Sequence, residues 1–113
     1  MERSLVLMRK LGLRSTYSGY NYLATAVSLT LDDPNYLRNV TKRLYVTIGT
    51  MYGVNNHCVE AALRTLITCY WNQNGDQILS RVLGYPLYDK PTASEFISIL
   101  VDYLYDHPDF GKH

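Results

Sequence analysis

Apolar residues recur along this chain every three or four positions, the spacing of one face of an α-helix, rather than alternating as in a half-buried strand. Leu5, Met8 and Leu11 form a first stripe and predict a helix from Glu2 to Leu11, stopped by Gly12. Leu23, Ala26, Val27 and Thr30 mark a second over Tyr20 to Leu31, with Ser18 as its cap and Asp32-Asp33-Pro34 as its end. A short turn, or one helical turn, from Tyr36 to Asn39 leads to a third helix capped by Thr41, with Leu44, Tyr45, Ile48 and Tyr52 inward and Gly53 as its break. A long fourth helix starts at Asn55 or Asn56, both good caps. It carries Val59, Ala62, Leu63, Leu66, Ile67, Tyr70 and Trp71 before Asn74-Gly75 stops it. Asp76 opens a fifth, whose apolar side is Ile78, Leu79, Val82 and Leu83, ahead of the Gly84-Tyr85-Pro86 loop. The sixth opens on Thr92-Ala93-Ser94-Glu95, the pattern of a capping box, and turns Phe96, Ile99, Leu100, Tyr103 and Leu104 inward. The pattern predicts an all-α fold, a compact bundle of about six helices. With no internal repeat or linker, residues 1–113 read as a single domain.

Composition narrows the function classes. At 113 residues and 47% hydrophobic, the chain can fill one core without disulfides or metal. No run approaches the ~20 apolar residues of a membrane span. Glu2, Arg3, Arg9 and Lys10 bracket an apolar segment too short for a signal peptide. Cys58 and Cys69 fall on one predicted helix, about 16 Å apart along its axis, so they cannot bridge there. With only His57, His107 and His113 beside them and no CxxC pair, they read as free thiols of a reducing cytoplasm, and no metal is expected. Asp102 and Asp106 lack a third oxygen ligand and read as a solvated face. Neither a nucleophile with a base nor a phosphate loop is legible. His57 and Cys58 point about 100° apart on a helix, so neither an enzyme nor a cofactor is expected.

The net charge of +1 hides an asymmetry, +4 over residues 1–43 and −3 over residues 44–113. A basic half suits phosphate, although an ordinary solvated surface carries such charges too. Residues 48–63 give the charge a direction, because Ile-Gly-Thr-Met-Tyr-Gly-Val-Asn-Asn-His-Cys-Val-Glu-Ala-Ala-Leu has the form of a helix-turn-helix. Gly49 is small where the helices cross, Gly53 supports a tight turn, and Ile48, Tyr52, Val54, Val59 and Leu63 clamp the pair. Asn56, His57, Glu60, Ala61 and Arg64 are left facing outward to meet base edges in the major groove, Asn suiting adenine and Arg suiting guanine. This helix has no net charge, so phosphate contacts fall to Arg38, Lys42 and Arg43, with Asn55 at the helix start. Of the eleven tyrosines, Tyr45, Tyr52, Tyr70 and Tyr103 belong to core stripes, while Tyr20, Tyr22, Tyr85 and Tyr88 near turns are expected to be partly exposed and available to a dimer or partner.

Further residues carry a family resemblance: Gly19-Tyr20 with Tyr22-Leu23, Thr41-Lys42 with Leu44-Tyr45, Val59-Glu60 and Arg64, Trp71, Gly84-Tyr85, and Lys90-Pro91-Thr92 with Ser94-Glu95-Phe96-Ile97. Over about residues 5 to 105 the chain resembles the carboxyl-terminal effector domains of the sporulation master response regulators, the stage zero sporulation protein A family of endospore-forming bacteria. The resemblance implies a cytoplasmic transcription regulator that binds duplex DNA, as a homodimer on tandem short boxes, with the polymerase sigma subunit as a partner. It implies base-facing roles for Glu60 and Arg64, with Asn56 and His57 at the leading edge of the recognition helix. The chain departs from the family where Cys58 and Ala61 replace arginines, Thr65 a histidine, and Thr50 and Met51 lysines, and its loop before Lys90 is shorter. In the family a phosphoacceptor receiver domain precedes the effector domain. None is legible here, so control is expected from abundance, a partner, or competition with a full-length regulator. The rival reading is an interaction module that kept the fold but lost DNA binding, using its Tyr-rich or acidic surfaces, Asp102 and Asp106 among them.

Overall fold

The structure, a computed structural model, describes residues 1–111; His113 lies outside them. Among these residues the chain forms α1 (Glu2–Lys10), α2 (Ser18–Asp32), α3 (Tyr45–Tyr52), α4 (Asn56–Tyr70), α5 (Asp76–Leu83) and α6 (Ala93–Asp106), and no strand. The centre is α2, which packs against α1, α3, α4 and α6. It carries no charge before Asp32 and buries Tyr20, Leu23, Ala24, Thr25, Ala26, Val27 and Thr30, as a helix enclosed on most sides must. Its approach to α4 is close because Gly19 has no side chain: a Cβ there would lie 2.4 Å from the Ala62 carbonyl oxygen. Tyr20 is buried in the core, so it is not the partly exposed turn residue that the sequence predicts.

Caps and stops follow local chemistry. Asn55 Oδ1 accepts from the Cys58 amide at 2.9 Å and starts α4. At α6 the Thr92 hydroxyl accepts from the Glu95 amide while the Glu95 carboxylate accepts from the Thr92 amide, completing the capping box. Asn74, at φ +68°, breaks the wide turn Trp71–Gly75 between α4 and α5. Two predicted caps are corrected. Thr41 sits inside a π-helical turn, Val40–Leu44, that runs straight into α3; the amides of Arg43 and Leu44 already bond to the Asn39 carbonyl, so α3 starts without an open amide for a hydroxyl. Ser18 is the first residue of α2 and Tyr17 takes the cap position. The turn predicted over Tyr36 to Asn39 is a 3-10 helix, Pro34–Arg38, opened by Asp33 Oδ1 accepting from the Asn35 amide.

The core joins Leu7, Met8 and Leu11 of α1 to Leu23, Val27, Ile48, Leu63, Leu66, Phe96 and Leu100. In α6, Ile97 and Val101 are buried as well, and Ile99 is only half-buried. Tyr52, expected in the core, is 40% exposed. It sits at the rim, its ring edge-on to Tyr22 and its hydroxyl 2.7 Å from Thr25 Oγ1, because a phenol at a helix end can satisfy its oxygen there. Near the start of α1, the Arg3 guanidinium donates to the carbonyls of Leu104 at 2.7 Å, Phe110 at 2.9 Å and His107 at 3.0 Å.

Candidate nucleic-acid interface

A tight corner joins α3 to α4. Gly53 adopts φ +73°, the left-handed conformation that favours glycine, with open space where a Cβ would stand. Gly49 is required for a different reason: its Cβ would lie 2.4 Å from the Val54 carbonyl oxygen, where the chain turns back across α3. The Val54 amide donates to the Gly49 carbonyl at 2.9 Å, and buried Ile48, Val59 and Leu63 fill the angle. This is the helix-turn-helix geometry that the spacing predicts.

The inward face of α4 is Val59, Leu63, Leu66, Ile67 and Tyr70. Helical geometry then turns His57, Ala61, Arg64 and Thr65 outward, and all four are exposed. Asn56 and Glu60 are half-buried at the edges of this stripe. Glu60 pairs with Arg64 across one turn, with 67% of the Arg64 side chain in solvent. An exposed pair at this spacing holds only about 0.3–0.5 kcal/mol, so the guanidinium can be drawn to another acceptor.

The expected phosphate-facing residues are placed less evenly. Lys42 and Arg38 are exposed. Arg43 bonds to Asp33 at 2.9 Å and lies over the Tyr36 ring at 4.6 Å, which ties the turn before α3 to the end of α2. Asn55 spends its carbonyl oxygen on the cap and keeps its amide NH₂ as a donor. The outward side of α3 is neutral and partly apolar: Val46 and Met51 are exposed, and Thr50 turns its hydroxyl back on the Val46 carbonyl.

One residue beside this face has no role there that the sequence predicts. Lys90 Nζ donates to Thr68 Oγ1 at 3.1 Å, bringing a cation from the loop before α6 to the end of the outward stripe. Between α4, the start of α6 and the turn before α3 lies a cleft of about 430 Å³, whose walls include Thr41, Arg64, Thr68, Lys90 and Ser94. Tyr45 lines it too. Burial, and then the Glu60 charge, push its hydroxyl up to about 12, with Arg64 acting the other way.

Both cysteines are free thiols, Cys58 exposed and Cys69 half-buried. Among the described residues no three His, Cys, Asp or Glu side chains gather to hold a metal ion, and no helix is long and apolar enough to cross a membrane. A family model described as the sporulation initiation factor Spo0A C terminal matches residues 5–104.

Proposed function

The chain belongs to the Spo0A C-terminal family, and from that membership we propose that it is a transcription regulator that binds duplex DNA in a sequence-specific way. The observation that carries the reading is the exposed stripe of α4, braced by the Gly49–Val54 corner at one end and the α2 crossing at Gly19 behind. In this reading Asn56, His57, Glu60, Ala61 and Arg64 meet base edges. Arg64 exchanges Glu60 for a guanine, and the Ala61 methyl offers contact to thymine. Lys42, Arg38 and Arg43 meet phosphates, with the Asn55 amide at the helix start. A homodimer on tandem sites, contact with the polymerase sigma subunit and a cytoplasmic setting belong to the same proposal.

A second reading has its own support. Val46 and Met51 are exposed on α3, and α4 carries no net charge, which suits a protein partner better than a polyanion. Fluorescence anisotropy of a labelled duplex carrying the family's box, against a scrambled duplex over a range of salt, separates the two. Tighter binding to the box with a shallow salt slope supports the regulator. Absence of binding, or weak and equal binding that vanishes near physiological salt, supports the interaction module.

A further inference from the structure

The cleft beside Arg64 is built from three segments far apart in sequence, and its polar groups, the Glu60 carboxylate apart, can all donate. Glu60 and Arg64, both in its wall, pair with each other in the free protein and turn to base edges in the proposed complex, so the cation that stays with the cleft is Lys90, which has no carboxylate partner among the described residues. Its ammonium group spends one N–H on Thr68 and keeps two. Thr41 and Ser94 add hydroxyls. Tyr45, 3% exposed and without a hydrogen-bond partner among the described residues, lines the cleft as well. A phenol held protonated up to about 12 is a donor at any physiological pH. At the start of α6 the capping box uses the Thr92 and Glu95 amides, which leaves those of Ala93 and Ser94, two residues of the cleft wall, outside it.

We propose that this cleft is a phosphate subsite, and that a backbone phosphodiester of the bound duplex occupies it with Lys90 as its cation. The proposal rests on the DNA reading above. Its position suits that occupant: the outward stripe of α4 runs through Ala61 and Arg64 to Thr68, so a groove read by the first two has its wall where Lys90 waits. It also supplies, from across the fold, a cation that the neutral recognition helix lacks.

The test is salt-dependent anisotropy of the wild type, Lys90→Gln, Lys90→Arg and Arg64→Ala on box and scrambled duplexes. Lys90 is exposed and outside the core, so the substitutions leave the fold intact. Lys90→Gln should weaken both duplexes about fivefold at physiological salt and flatten the log–log salt slope by about 0.9, with the preference for the box unchanged. Lys90→Arg should restore both. If Lys90→Gln keeps the wild-type slope while Arg64→Ala still erodes the preference, the subsite is overturned and the DNA reading stands. If the wild type binds neither duplex, both fall. Saturable amide shifts at Lys90 and Ser94 with inorganic phosphate, in a protein that binds no duplex, would overturn the duplex as occupant in favour of a free phosphate group.

Discussion

The Tyr70 hydroxyl donates to the Leu11 carbonyl oxygen at 2.6 Å, linking the last residue of α4 to the residue that caps the end of α1. A helix end leaves carbonyls without partners, and this one is buried, so the phenol answers a need that water cannot reach. Tyr70→Phe should destabilise the fold by about 1–3 kcal/mol, read as a lower urea midpoint at unchanged slope.

The two glycines of the corner should respond differently to alanine. Gly49→Ala drives a methyl into the Val54 backbone, and neither element can yield without opening the angle, so a loss of about 3 kcal/mol is expected, together with duplex binding. Gly53→Ala meets no atom and is penalised only by its positive φ, about 1 kcal/mol. Urea denaturation of both variants gives the comparison; equal losses would mean that the corner is not held by the Gly49 contact.

At the proposed interface, Arg64→Ala should remove about 1–3 kcal/mol of discrimination at one base position. Lys42→Ala should instead weaken box and scrambled duplexes alike and lower the salt slope by about 0.9. Equal binding by wild type and both variants would remove α4 and its lead-in from any DNA face.

Alkaline stability follows from Tyr45 and Tyr70. Burial raises both hydroxyls, Tyr45 to about 12 and Tyr70 further, the latter also through the Asp76 charge. The folded state then holds protons that the unfolded chain releases near its ordinary value of 10.0, so stability is full below that pH and is lost as pH climbs toward and through the folded values. Urea midpoints should be flat to about pH 9 and fall beyond it, and replacing both tyrosines by phenylalanine should flatten that fall.

At the acid end Glu95 is held below its ordinary value by the backbone and then the side-chain hydrogen bonds of Thr92. Its contribution is present above 4.5 and disappears as pH drops through the lowered folded value. Thr92→Ala should therefore lower the urea midpoint at neutral pH and lower it less in acid.

What could be read from the sequence was whatever neighbours in sequence decide. Asn55 and Thr92 each cap an amide three residues on, and Gly53 shapes its own turn, so their roles were legible. Thr41 was not, because the preceding turn had already supplied the bonds it would have made. Tyr20 and Tyr52 changed places, one buried in the core and the other at the rim with its hydroxyl on Thr25, and neither partner is a sequence neighbour. Lys90 stood out as part of a family motif, but its place beside α4 did not: nothing near it in sequence signals Thr68, and only the folded chain brings the two together.

Arg3 gives the fold a further property. Its three bonds close on carbonyls from the end of α6 and the segment beyond, so a residue from the opening helix acts as the finishing cap of the closing one. The opening and closing stretches of the described chain are thus buckled together. A protein fused at one side and a fluorophore attached at the other would sit as neighbours, and clipping either stretch would loosen the helix end at the opposite side of the sequence.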